Sequence, residues 1–193
     1  MSLSALIVLA LLLVVLVYGV LIYNNLVRLK HNVALAWSNI DVVLKQRHDE
    51  LPKLVALCKE HMGYEQETLE RVVRARGSVA EAGRRRDMRA LGAAETELRA
   101  GLGQLFAMAE SYPQLQANES FRHLAQRITH LEETIADRRE LYNDSANLNN
   151  VRIEQLPDSL LAGLAGARRV DLLRFEEARQ DVDLKALFGS GVG

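Results

Sequence analysis

The stretch Arg47-His48-Asp49-Glu50-Leu51-Pro52 places a histidine between an arginine and two carboxylates. These residue types can ligate a metal, act as a general base, or carry a phosphoryl group on the imidazole. A metal site needs ligands that converge on one point. Successive residues of a helix point about 100° apart, so His48, Asp49 and Glu50 cannot face one ion. His61 and Glu65 have useful helical spacing, but such pairs arise readily in a helix rich in acids. His31, His123 and His130 have no second histidine three or four residues on, and neither H-E-x-x-H nor Glu-x-x-His occurs. A cysteine nucleophile would need a base and an orienting group. Cys58 instead falls on an apolar stripe, as a small core residue does. There is no G-x-x-x-x-G-K-[ST] phosphate loop. The residue types therefore give no catalytic set, no metal and no cofactor.

The sharper alternative is a signalling or phosphorelay module using His48. The stretch is loosely similar to the H-box of sensor histidine kinases, in which a helix carries a histidine, an acid and, shortly after, a proline. Here Pro52 follows His48 by four residues rather than five, and no ATP-binding motif is present. His48 also sits on the apolar stripe, whereas a phosphoacceptor must face solvent.

That stripe runs Trp37, Ile40, Leu44, His48, Leu51, Val55, Cys58, Met62, Gln66, Leu69, Val73. Its ten steps average the α-helical period, and its phase is kept across Pro52. The pattern predicts one helix from Tyr23 to about Arg76, roughly 80 Å long if unbroken. Pro52 removes one hydrogen bond and can kink this helix without ending it. On one flank Asp41, Lys45 and Asp49 can pair at i,i+4 spacing. Gly77, Ser78 and Gly83 predict a polar break carrying Arg84-Arg85-Arg86, far from the membrane if the stalk is straight.

A second helix reads from Leu91 to Tyr112, with Pro113 closing it. Asn118 is a candidate N-cap for a third. Its seam is Phe121, Leu124, Ile128, Leu131, Ile135, Arg138 and Tyr142, shifting to Ala146, Asn149, Ile153 and Leu156 before Pro157 ends it. Asn149 is placed to share a polar layer with His48. Leu160, Leu161 and Leu164 suggest a further short helix, weakened by Gly163 and Gly166. No strand pattern appears. The expected fold is all-α: an antiparallel, coiled-coil-like bundle of three long helices and a C-terminal piece.

From Met1 to Val27 no side chain is charged. Leu3 to Ile22 is an apolar run of 20 residues, about 30 Å as a helix and enough to cross a bilayer. Tyr18 and Tyr23 lie near its C-terminal end, where interfacial aromatics sit. A cleaved signal would need a basic start and a small-x-small site, and neither is present. Basic residues follow the run (Arg28, Lys30, Lys45, Arg47) and none precede it, which favours an outside N-terminus and a cytoplasmic body. The net charge of −1 gives no case for nucleic acid.

Several long motifs complete the reading. They include Tyr23-Asn24-x-Leu26-Val27, Ala36-Trp37-Ser38-x-Ile40-Asp41-Val42 and Leu51-Pro52-x-Leu54-Val55. Further along come Ala109-Glu110-x-Tyr112-Pro113, Ala117-Asn118-Glu119, Arg138-x-x-x-Tyr142-Asn143 and Ile153-x-x-Leu156-Pro157. Together they resemble the LemA family over nearly the whole chain after the apolar run. The sequence departs from the family pattern at Asn149-Asn150, where a second Tyr-Asn is usual, and at Lys53 and Leu156. The resemblance implies a bacterial inner-membrane protein with one N-terminal span, a helical body and no catalytic residues; some relatives are associated with organising internal membranes. The expected organisation is a span over 1–27, a bundle over 28–157 and a C-terminal segment over 158–193. Trp37, Asp41, His48, Pro52, Tyr142, Asn143 and Pro157 are its structural residues. The expected role is a membrane-anchored scaffold or adaptor, with the bilayer, other copies of the chain and an unassigned protein as partners.

Overall fold

A computed structural model describes residues 2–62 and 65–175. Four long helices dominate: α1 (Leu3–His61), α2 (Gln66–Arg85), α3 (Met88–Ala109) and α5 (Glu119–Glu154). Two short ones, α4 (Pro113–Ala117) and α6 (Asp158–Ala162), sit at turns. No strand occurs among the described residues. The all-α expectation holds, with four long helices rather than three.

The single helix expected from Tyr23 to Arg76 is two helices. α1 closes at His61, with the Met62 N–H on the Cys58 carbonyl, and α2 begins at Gln66. Gly77, Ser78 and Gly83 do not break the chain; they lie within α2. α2 runs back along α1, since Arg76 meets His48. The reversal overturns the expected position of the arginine triplet. Arg86 lines the same cavity as Lys30 and Trp37. These α1 residues lie only about 12 to 22 Å beyond Ile22 at the helical rise.

The α2–α3 turn is tight. Arg86 adopts the left-handed conformation (φ 53°), and Asp87 caps α3 by accepting from the Ala90 N–H at 2.9 Å. Left-handed residues and aspartate caps commonly join successive helices in this way. α3 ends at Ala109, three residues before the expected Tyr112, and Pro113 opens α4 instead of closing a helix. Asn118 caps α5, accepting from the Phe121 N–H at 3.2 Å. The result is an up-down-up-down bundle in which α1 packs most extensively on α5, and α2 on α3.

One continuous core fills the bundle, from Val33 and Trp37 at one end to Met62 and Leu115 at the other. A second, smaller core joins Ile22 and Leu26 of α1 to Ala162, Ala165 and Ala167. Residues 163–175 leave α6 and run back along α5 as a strap, which delivers Leu173 and Phe175 to the main core.

Candidate functional site

The Arg47–Pro52 stretch is built differently from the seam pattern. In this stretch Arg47 is fully enclosed and Glu50 and Leu51 are buried, while His48 is half-buried. Arg47 lies three residues after Leu44 and four before Leu51, so it shares their inward face. One guanidinium nitrogen reaches Glu95 of α3 and another Glu132 of α5. Arg99 of α3 holds the second Glu132 oxygen at 2.8 Å. Three helices thus meet on one planar cation, whose fork suits two carboxylates. Burial opposes the Arg47 charge, but Glu95 and Glu132 more than offset it and raise its pKa. Burial also pushes the Glu95 carboxyl above its ordinary range, against the pull of Arg47. Arg47 Nε and Glu95 Oε2 make no hydrogen bond. Replacing such a buried ion pair by apolar residues of similar volume is often neutral, whereas removing one partner alone is costly.

Pro52 and His48 form one device with Arg76. A proline inside a helix leaves the carbonyl four residues earlier without its partner. Here that carbonyl is His48 O, and Arg76 Nε donates to it at 2.9 Å. Arg76 also places a guanidinium nitrogen 2.7 Å from His48 Nε2. The contact requires neutral Nε2 as acceptor. Burial, followed by the charge of Arg76, lowers the His48 pKa. His48 Nδ1 is buried without a hydrogen-bond partner. The expected His48–Asn149 layer does not form, because Asn149 sits near the other end of the bundle, donating to Arg168 O at 2.8 Å.

The other expected residues fall near the Val33–Trp37 end of the core, the base of the bundle. Trp37 and Tyr142 pack edge to face with centroids 6.0 Å apart. Asp41 pairs with Lys45 at 2.5 Å on an exposed flank. Pro157 follows the end of α5 and precedes α6. Leu156, expected on the seam, is exposed. Asn143 and Asn150, seven residues apart, hold the strap. The Asn143 amide donates to Leu173 O at 2.9 Å and accepts from Leu173 N at 2.8 Å. Asn150 does the same at Val170, at 2.8 Å both ways. Tyr142 OH adds a bond to Asp171 O at 2.9 Å. Each asparagine reads one backbone unit in full, as a neighbouring strand would. The Asn149-Asn150 departure thus keeps the amide that the clamp uses.

Beyond the clamp, Phe175 lies between the Arg99 and Arg139 guanidiniums, 4.9 and 4.4 Å from its ring centre. Gly92 makes room for the strap, since a Cβ there would fall 1.9 Å from Arg174 O.

At the opposite end of α1 the surface is apolar. Every large side chain from Leu3 to Leu21 is exposed, and none is charged. This is the one helix among the described residues long and apolar enough to cross a membrane. The described residues hold no cluster of three or more His, Cys, Asp or Glu side chains with metal-site geometry.

The fold and base together define an all-α up-down bundle with an apolar N-terminal helix and an asparagine-clamped strap. The chain belongs to the LemA family, whose model matches residues 36–185. Curated relatives include magnetosome proteins MamQ 1 and MamQ 2 of Paramagnetospirillum magneticum, each 26% identical over 179 residues. MamQ of Magnetospirillum gryphiswaldense is 26% identical over 172 residues. The matches cover 81%, 81% and 77% of this chain but 66%, 66% and 63% of the relatives, just under two thirds of their length.

Proposed function

We propose that this protein is a non-enzymatic scaffold or adaptor anchored in a bacterial inner membrane by the first part of α1. The span is Leu3 to Ile22, with the N-terminus outside and the bundle in the cytoplasm. One observation carries the reading: a single helix passes without interruption from a wholly exposed, uncharged stretch into the core of the bundle. Exposed apolar surface on that scale needs an apolar surrounding. The anchor and the bundle share a helix, so a force or displacement at one end is felt at the other.

Two features favour a scaffold over a phosphorelay at His48. Arg76 occupies Nε2, and Nδ1 is buried, so neither ring nitrogen is open to a phosphoryl donor. Self-association has its own support: Leu35 and Val42 on α1, and Leu141 and Leu148 on α5, stay exposed at seven-residue spacing.

Cross-linking in intact membranes, followed by identification of the adducts, tests the reading. The scaffold account expects the chain to stay with membranes through an alkaline carbonate wash and to cross-link to itself or to a defined protein. Release by carbonate would remove the anchor. An acid-labile phosphohistidine at His48 would replace the scaffold with the phosphorelay.

A further inference from the structure

The segment after α5 inverts the usual burial order. Asp158, Ala162, Ala165 and Ala167 face inward, while Leu156, Leu160 and Leu164 are 77%, 73% and 75% exposed. A single exposed leucine is ordinary, but three on one short segment present a group of exposed apolar side chains that calls for a covering surface. The three leucines are four residues apart, and the intervening chain is helix and tight turn: Ala165 N donates to Leu161 O at 3.0 Å, and Ala167 N to Ala162 O at 3.0 Å. The inward alanines pack on Ile22 and Leu26. Ile22 ends the apolar run, and Leu26 lies about 6 Å further along the helix. The leucines are therefore held at the level where α1 leaves the apolar stretch.

The flanks are basic and polar. Lys30 lies beside this segment, its Nζ 3.5 Å from Ala165 O. Arg168 and Arg169 follow it and are exposed, Arg169 pairing with Glu154 at 2.9 Å. Arg152 lies on the α5 side, paired with the buried Asp158 at 2.9 Å. Leucines outward, alanines inward and cations just beyond match a segment lying in a membrane interface, where apolar side chains enter the acyl boundary and cations meet headgroups.

We infer that Leu156, Leu160 and Leu164 form a shallow second attachment, inserted into the leaflet next to the α1 span. The inference rests on the proposed anchor, and its occupant is the lipid of that same membrane, because the segment that carries the leucines packs on Ile22 and Leu26 at the end of the apolar run. Two points of attachment fix the tilt and rotation of the bundle, which one helix cannot do. The inserted leucines also occupy area in one leaflet only.

The test uses the full chain in vesicles of neutral and anionic phospholipid. Single cysteines at Leu12, Leu160 and Ser120 carry an environment-sensitive NBD dye, with quenchers placed on lipid acyl chains both near the headgroup and near the bilayer centre. Leu160 and Ser120 are exposed, so labelling them leaves the core intact. The expected result is blue-shifted, lipid-quenched emission at Leu160→Cys and at Leu12→Cys, and water-like, unquenched emission at Ser120→Cys. Water-like emission at Leu160→Cys with quenching at Leu12→Cys overturns the second attachment and leaves the anchor standing. Blue-shifted but unquenched emission at Leu160→Cys also overturns it, because protein and not lipid then covers the leucines. Water-like emission at both positions overturns the anchor together with the inference.

Discussion

Replacing Arg47 with methionine leaves the fully enclosed Glu95 carboxylate without its cation, while Glu132 keeps Arg99 at 2.8 Å. Breaking a buried pair by removing one partner costs about 3–5 kcal/mol, because the remaining charge is uncompensated. The abandoned carboxyl escapes part of that cost by taking up a proton. Burial already pushes Glu95 upward even with Arg47 present, and removing Arg47 removes the main opposing pull. The folded variant then holds a proton that the unfolded chain releases in the ordinary carboxylate range. Its stability is greatest at low pH and falls as pH rises above that range. The slope is about 1.4 kcal/mol per pH unit. The variant's deficit relative to the parent should therefore be smaller at acid than at neutral pH. Arg47→Met/Glu95→Leu removes both charges and should regain most of the loss at every pH. The assay is urea unfolding of the full chain in micelles, followed by circular dichroism at several pH values. A single variant as stable as the parent with no pH slope would refute the reasoning. So would a double variant no better than the single.

Three further outcomes follow from the geometry. Arg76→Met should cost about 1 kcal/mol, since it strips a half-buried carbonyl of its donor. The cost should shrink in a Pro52→Ala background, where the backbone N–H returns to His48 O; a double-mutant cycle by thermal unfolding measures that coupling. The His48 pKa is lowered by burial and Arg76, so the unfolded chain takes up the proton first as pH falls. Stability should drop on acidification through about pH 6.5 and below, and His48→Gln should lose that part of the pH dependence. Gly92→Ala gains about 1 kcal/mol of helix propensity, yet its Cβ would meet Arg174 O at 1.9 Å. It should therefore displace the strap, as should Asn143→Ala, and hydrogen exchange at the Leu173 amide should accelerate in both.

Much of the fold was legible where side-chain periodicity decides it. The uncharged run before Arg28, the Asn118 cap and the inward Phe121, Ile128, Leu131, Ile135 and Tyr142 follow from residue type and spacing, whereas Arg138, expected on that seam, is exposed. The reversal after His61 was hidden because Met62, Gln66 and Leu69 keep the apolar phase of α1, so a turn and a continuing helix read alike. The shift from His48 to Arg47 as the enclosed residue is one helical step. A polar residue between Leu44 and Leu51 reads as surface until its two carboxylates come from other helices. Glu95 and Glu132 carried no signal of their own. The strap is held by asparagine amides on backbone, an arrangement with no apolar period. Its available clue was Asn143 and Asn150 seven residues apart on one helix. The boundary of the C-terminal segment at 158 falls at the start of α6, while residues 176–193 lie outside the described structure.

In the proposed arrangement α1 crosses the membrane and carries the bundle on the cytoplasmic side. Native Cys58 is fully enclosed, and burial pushes its thiol up to about 11, so it contributes little background to maleimide labelling. An impermeant maleimide applied to intact bacteria should label Ser2→Cys, and should label Ser120→Cys only after the membrane is opened. Labelling of Ser120→Cys in intact cells, with Ser2→Cys protected, would contradict the account.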